Sequence, residues 1–282
     1  MKFKILKSME NTNKQGLQRI EALKNILKAP SVQEQFNNAL QENTGAFVAS
    51  VIDLFNGDKN LQNCDLKQLV MEALKAATLK LPINKALGFA YIVPYNSKNG
   101  TIPTFQIGYK GYIQLAMRTG KYRIIHADTV FEGELRTVNK LTGEIDFSGK
   151  KQSENVVGYF SHIELVNGFS KTLYMTREAI ISHAKKYSKS YEYSSSAWQT
   201  DFDAMAKKTV IRNLLSHYGY LSVEMIGAID NDIIADTEQR DKDVQSATGS
   251  QKVNITDVEY EELGNNGTNT PSADPEDPGP DF

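Results

Sequence analysis

The sequence predicts an α+β fold in which helices pack around a small antiparallel sheet of hairpins. Apolar residues recur at helical spacing through the first eighty residues, and runs of β-branched and aromatic residues separated by turn signals follow. Beyond Asp236 the chain is polar, acidic and finally proline-rich. We therefore predict one domain over residues 1–235, with an α-rich lobe at about 1–81 and an α+β core at about 82–235. A disordered acidic tail is predicted at 236–282.

Four short helices are predicted in the N-terminal lobe. The first covers residues 13–29, and its apolar side chains recur every three or four positions. Ser31 and Thr44 are candidate caps for the second and third helices, and Asp65 for a fourth that Pro82 ends. These helices pack either on the core or against neighbouring subunits.

Hairpins alternate with helices in the core. The predicted hairpins join residues 88–94 with 101–107, 134–138 with 144–147, and 156–166 with 169–174. A further strand is predicted at 122–131, and helices at 108–119, 176–187, 198–218 and 221–235. Gly120 and Thr176 are the expected caps at one helix end and one helix start.

The charge distribution indicates a polyanionic ligand. The net charge is only −2, but the chain from Asp236 onward carries twelve acids against three bases. The first 235 residues therefore hold 22 acids and 29 bases. The stretch from Ala73 to Ala127 has no Asp or Glu, and its bases alternate with aromatic residues, which suits a single-stranded nucleic acid. The alternative is a half-buried sheet whose acids lie elsewhere.

The sequence offers no recognisable catalytic constellation. Cys64 is the only cysteine, and the four histidines share no metal-ligand spacing, so neither a disulfide framework nor a zinc site is predicted. Phosphate-loop and nucleophile-elbow motifs are also missing, and no ATP or other cofactor is expected. A metal-dependent nuclease stays an alternative through Asp65-Leu66-Lys67, although a helix cap explains Asp65 as well. With no apolar run long enough to span a bilayer and no signal peptide, a cytoplasmic location is expected.

Two basic clusters are candidates for the two walls of a groove that binds phosphates. The first lies on the helix and strand around residue 115, and the second on the later helices. Tyr109, Tyr112 and Trp198 are candidates for stacking on bases, but each can equally pack in the core. The basic candidates are Lys110, Arg118, Lys121, Arg123, Lys185, Lys186, Lys189, Lys207, Lys208 and Arg212.

Two separated blocks resemble the RecT family of phage-type single-strand annealing proteins. The first block runs from Leu81 to Tyr95 (LPINKALGFAYIVPY) and from Phe105 to Gly120 (FQIGYKGYIQLAMRTG). The second has the pattern Trp-x3-Phe-x2-Met-Ala-x-Lys-Thr-x2-Arg-x-Leu-Leu over residues 198–215. Met117 and Asn213 depart from the family pattern, since family members often carry a base there. The family's basic positions in these blocks correspond here to Lys110, Arg118, Lys207, Lys208 and Arg212.

The resemblance implies an ATP-independent protein that coats single-stranded DNA and anneals complementary strands. It also implies a homo-oligomer, as a ring or helical filament, with a partner exonuclease and the host single-strand binding protein, in the bacterial cytoplasm. Mg²⁺ is expected to act on DNA binding without serving as a cofactor. A passive single-strand binding protein is the first alternative. The acidic C-terminal tip also resembles that of bacterial single-strand binding proteins. This resemblance implies that the tip competes for the DNA groove or for proteins that bind such tips. The alternative is a tail that only adds solubility.

Overall fold

The computed structural model describes residues 16–97, 100–188, 190–227 and 229, and over these it is a mixed α and β protein. The predicted α+β class and antiparallel hairpins are confirmed. The predicted acidic tail lies outside the described residues. The helices are α1 (16–28), α2 (Pro30–Leu40), α3 (Thr44–Gly57), α4 (Leu66–Thr78), α5 (Tyr109–Arg118), α6 (Arg177–Tyr187), α7 (Ala197–Thr200) and α8 (Phe202–Tyr218). A last helical stretch covers residues 223–227.

The strands form three separate antiparallel sheets. β1 (Ala90–Ser97) pairs with β2 (Gly100–Ile107), and a short ladder joins β4 (Thr137–Val138) to β5 (Ile145–Asp146). The third sheet has the order β3-β6-β7, built from Tyr122–Phe131, Val156–Leu165 and Ser170–Thr176. All three hairpins occur where the turn signals predict them.

Three of the predicted helix boundaries form at the expected residues, two through a capping side chain and one through a glycine. The Asp65 carboxylate accepts a hydrogen bond from the Gln68 N–H at 2.8 Å, and the Thr176 hydroxyl accepts one from the Ala179 N–H at 3.1 Å. Gly120 follows α5 with a positive φ of 67°, the left-handed conformation that glycine adopts most readily.

Two predicted caps are wrong. Ser31 lies inside α2, because Pro30 is already the first helical residue. Proline suits that position, since it lacks an N–H and the first N–H of a helix has no partner within the helix. Thr44 is the first residue of α3 rather than its cap, and its hydroxyl donates to the Gln41 carbonyl oxygen at 2.8 Å. The fourth helix also ends at Thr78, before Pro82, because Lys80 already has a positive φ of 52°.

One hydrophobic core runs through the described part of the chain. It includes Phe36 and Leu69 from the N-terminal helices together with Tyr159, Ile163 and Leu214 from the sheet and α8. Burial of such side chains from water is the main source of folding free energy. The N-terminal helices therefore pack on the core of the same chain, although the domain boundaries themselves stay a prediction.

The helix α8 lies against the three-stranded sheet. The buried Ser161 hydroxyl on β6 donates to the Val210 carbonyl oxygen at 2.8 Å, and the Tyr159 hydroxyl donates to the Asp203 carboxylate. At the other end of the core, a Cβ added to Gly111 would lie 2.2 Å from the Phe89 carbonyl oxygen, so α5 approaches the chain before β1 closely. These contacts fix α5 and α8, which carry half of the predicted basic residues.

Candidate nucleic-acid interface

A pocket lies between α6 and α8, and two cations contribute to its wall. Lys208 and Arg212 are four residues apart on α8 and so share one face of that helix. Their side chains are buried, with relative exposures of 5% and 7%. The other lining residues are His183, Ala184, Tyr187, Ser188, Trp198, Met205 and Thr209.

The two cations are placed by caps and by packing. The Asp201 carboxylate accepts a hydrogen bond from the Ala204 N–H at 3.3 Å and so starts α8, while Thr176 starts α6. Lys208 and Arg212 both take part in interactions within the protein. Among the described lining residues there is no Asp or Glu. The described lining residues therefore include two cations and no carboxylate, a combination that suits an anion.

Two more lysines stand beside this pocket at the end of α6. Lys185 and Lys186 are exposed and occupy the last helical turn, where the helix dipole favours positive charge. Their ammonium nitrogens lie 6.0 Å from the ring centroid of Tyr191 and 5.0 Å from that of Tyr187, respectively. Lys189, the third base predicted here, lies outside the described residues.

Lys207 belongs to a different surface of α8. Its ammonium nitrogen lies 2.9 Å from the Asp128 carboxylate oxygen on β3 and 6.0 Å from the ring centroid of Tyr109. Partial burial acts to raise the pKa of Asp128, but hydrogen bonds from Lys207 and from the Thr129 N–H outweigh it and hold that pKa below its ordinary value. The Asp128 carboxylate thus neutralises Lys207 in this structure.

The bases of the first cluster separate into different environments. Lys110 and Arg118 are both exposed, but the Arg118 guanidinium donates to the carbonyl oxygens of Leu79 and Lys80 at 2.6 and 2.8 Å, just after α4. Burial lowers the pKa of Arg118, although two carbonyl contacts suit the charged form. Arg118 therefore holds the end of α4 in this structure.

The remaining two bases of that cluster lie at the start of β3, Lys121 just before it and Arg123 within it. Arg123 forms an ion pair with Glu164 on the neighbouring β6, and its side chain is 67% exposed. Lys121 is exposed and lies over the ring of Tyr220, 5.7 Å from its centroid. The bases of the predicted first wall thus have different partners, and the structure brings Lys208 and Arg212 together in one pocket beside Lys185 and Lys186.

The predicted aromatic contacts differ in how accessible they are. Tyr112 is completely buried and packs in the core, so its ring has no surface to offer a base. Trp198 is 6% exposed; it lines the pocket, but its ring also packs against Tyr191 and Phe202 with centroids 6.1 and 5.7 Å away. Tyr109 is partly buried under Lys207.

Sequence reasoning placed the lysines at the end of α6 in the groove but missed two other residues of that helix. His183 and Tyr187 line it and are four residues apart, with ring centroids separated by 4.6 Å. The spacing places both on one helical face, which is a readable signal. A four-residue spacing alone does not identify the opposing helix, because that requires the fold.

Comparison with known proteins identifies the family of this chain. The sequence profile described as the RecT family matches residues 45–246. The chain belongs to the RecT family. An uncharacterized Bacillus subtilis protein, YqaK, is 40% identical over 280 residues, which cover 99% of this chain and 92% of that protein. Protein RecT of Escherichia coli is 29% identical over 231 residues, covering 77% of this chain and 84% of that protein.

Membership places the protein among DNA-binding proteins of recombination and strand annealing. The two residues that depart from the RecT pattern have different surroundings in the structure. Met117 is 59% exposed on α5, so its apolar side chain faces solvent, while the Asn213 amide is directed towards the Met175 sulfur at 3.8 Å.

Neither a metal site nor a membrane-spanning helix is found among the described residues. No group of three or more His, Cys, Asp or Glu side chains there could hold a metal ion. Likewise, the helices of the described part of this RecT-family chain are too short or too polar to cross a membrane.

Proposed function

We propose that this protein binds single-stranded DNA through its phosphate backbone and anneals complementary strands without ATP. The observation that carries the proposal is the pocket between α6 and α8, where Lys208 and Arg212 share one wall. Membership of the RecT family supplies the class of nucleic acid and of reaction.

Both cations suit phosphate oxygens in different ways. The planar guanidinium of Arg212 can donate two parallel hydrogen bonds, whereas the Lys208 ammonium acts as a compact point charge. Both side chains are largely withdrawn from water, which strengthens their attraction for a phosphate that reaches them. Lys185 and Lys186 at the end of α6 then extend the positive surface along the strand.

Annealing requires that the bases of the bound strand stay available for pairing. Contacts to phosphate fix the position of a strand and carry no sequence information, so a complementary strand can test the exposed base edges. A chain of such sites on neighbouring subunits would hold the strand in an extended form. We therefore propose that the protein works as a homo-oligomer, a ring or a helical filament.

The proposed partners follow from the same function. A single strand must be exposed before it is annealed, so an exonuclease is the expected supplier, and the host single-strand binding protein competes for the same substrate. The bacterial cytoplasm is the proposed location. Mg²⁺ would act by screening phosphate charge and so would alter affinity rather than chemistry.

The proposal is tested with a fluorescently labelled oligonucleotide and its complement. Duplex formation is measured with and without the protein, and each reaction is run with and without ATP and Mg²⁺. We expect the protein to accelerate duplex formation equally in the presence and absence of ATP.

Two alternatives give different results in the same assay. A passive binding protein retains the labelled strand without accelerating pairing. A metal-dependent nuclease shortens the strand only when Mg²⁺ is present. Either outcome would contradict annealing as the function.

A further inference from the structure

We propose that a second surface of this protein stacks unpaired bases of the bound strand. It consists of Tyr218, Tyr220, Lys121 and Lys171, hereafter the tyrosine–lysine patch. This inference rests on the proposed function, because it adds a contact to bases where the pocket between α6 and α8 supplies contacts to phosphates. None of the predicted aromatic contacts includes either tyrosine.

The patch forms where the chain leaves α8 and crosses the end of the three-stranded sheet. The Tyr122 hydroxyl at the start of β3 donates to the Tyr220 carbonyl oxygen at 2.8 Å. Burial raises the pKa of Tyr122 to about 12, so this hydroxyl keeps its proton at neutral pH. A Cβ on Gly219 would lie only 2.8 Å from the same hydroxyl oxygen, so the crossing is close. Tyr122 therefore holds the main chain at residues 219 and 220, and the side chains of Tyr218 and Tyr220 are not needed for this contact.

Each tyrosine ring of the patch is paired with a lysine. The Lys171 ammonium lies 5.4 Å from the ring centroid of Tyr218, and the Lys121 ammonium lies 5.7 Å from that of Tyr220. The rings are 45% and 50% exposed. Within the described part of the chain, neither lysine has a carboxylate within ion-pair distance.

This combination fits single-stranded DNA better than a protein partner. Aromatic rings stack on any base, and a nearby ammonium can contact the phosphate of the same nucleotide. Lysine is instead depleted in the centre of protein–protein interfaces. Val166 and Phe169 at the same end of the sheet are exposed as well and provide apolar surface beside the rings.

The patch also lies near the cationic pocket along the helix axis. Arg212 and Tyr218 are both on α8, and six residues of α helix rise by roughly 9 Å. Stacked nucleotides advance by roughly 3.4 Å each, so this axial distance corresponds to about three nucleotides. Six residues also rotate about 120° around the helix axis, so one strand that contacts both surfaces must curve around α8.

The test compares an oligo(dT) strand with an abasic deoxyribose-phosphate strand of equal length. Both are labelled, and their dissociation constants are measured by fluorescence anisotropy at one salt concentration. The proteins are the full chain, its double variant Tyr218→Ala/Tyr220→Ala, and the matched control Tyr218→Phe/Tyr220→Phe, which keeps both rings.

We expect the alanine variant to lose about fivefold or more in affinity for oligo(dT) per ring removed, because stacking on one ring is worth roughly 1–3 kcal/mol. Its affinity for the abasic strand should be unchanged, and the phenylalanine control should bind both strands as the unaltered chain does. Unchanged binding of the abasic strand also shows that the alanine variant is folded.

Three results would overturn the inference. An equal loss on both strands would mean that the rings act through the fold. If the alanine variant bound oligo(dT) as the unaltered chain does, the rings would not stack on bases, although the proposed function would stand. A changed sedimentation coefficient would then assign the patch to a subunit contact, and an unchanged one would assign it to no ligand. If the unaltered chain bound neither strand, the proposed function itself would be refuted.

Discussion

The ion pair between Lys207 and Asp128 predicts that one substitution should improve DNA binding. The Lys207 ammonium contacts the Asp128 carboxylate at 2.9 Å, and their side chains are 20% and 48% exposed. His126 lies at 4.0 Å from the other oxygen of the same carboxylate. The pair faces solvent in part, so a phosphate could replace the carboxylate. Replacing Asp128 with Asn removes the competing charge and makes the lysine available.

The magnitude follows from counterion release. Each additional phosphate contact with single-stranded DNA steepens the log–log dependence of affinity on salt by roughly 0.7. Between 50 and 200 mM salt, this slope corresponds to a change of about two- to threefold. The Asp128→Asn variant should therefore bind DNA more tightly than the unaltered chain at 50 mM salt. Its advantage in affinity should be about two- to threefold smaller at 200 mM salt. A partly exposed ion pair stabilises a protein by about 0–1 kcal/mol, so the melting temperature should change little.

The assay is fluorescence anisotropy of labelled oligo(dT) at four salt concentrations. Asp58→Asn is the matched control, because Asp58 pairs at 2.9 Å with Lys85, far from α8 in the sequence, and its loss changes the net charge equally. Asp128→Glu keeps the charge and should keep the original slope. If Asp128→Asn and Asp58→Asn show the same slope and affinity, Lys207 does not contact phosphate and the reasoning is refuted.

Three other variants or reactions test particular parts of the structure. Replacing Lys185 or Lys186 with Gln should reduce the salt slope by roughly 0.7 each, measured by anisotropy, while their exposure leaves the melting temperature unaltered; an unchanged slope excludes that residue from the interface. Arg118→Ala should lower the free energy of unfolding by about 1.5–3 kcal/mol in a urea titration, because two carbonyl oxygens after α4 lose a charged donor; a loss below 0.5 kcal/mol would contradict that role. Burial raises the pKa of Cys64 to about 11, so at pH 8 the folded protein should react with a thiol reagent far more slowly than the urea-unfolded protein, and equal rates would show that the thiol is accessible.

Much of the fold could be predicted because its signals are local. Asp65 and Thr176 cap helices through their own side chains, and Gly120 adopts the left-handed conformation that ends a helix. Ser31 failed as a cap because Pro30 precedes it, and one residue was enough to shift the helix start. Local chemistry of this kind is present in the sequence and needs no knowledge of distant contacts.

The site could be predicted only in part, because it depends on which surfaces face each other. The four-residue spacing of Lys208 and Arg212 correctly indicated one shared face, and both line one pocket. No sequence signal shows that Asp128 reaches Lys207, since the two residues meet only when α8 packs on β3. Arg118 is similar: its partners are carbonyl oxygens 38 and 39 residues earlier in the chain, and a backbone acceptor leaves no trace in the sequence.

The central claim is that the cations in the pocket between α6 and α8 hold the strand during annealing. The most direct test is the annealing rate, without ATP, of Lys208→Met compared with Lys59→Met, which removes the same charge from an exposed site in the N-terminal lobe. Hydrogen bonds to charged groups are worth roughly 1.5–3 kcal/mol, so we expect Lys208→Met to anneal about tenfold more slowly or worse, at a temperature where circular dichroism shows the variant folded. Lys59→Met should anneal at the rate of the unaltered chain. Equal rates for the two variants would contradict the claim.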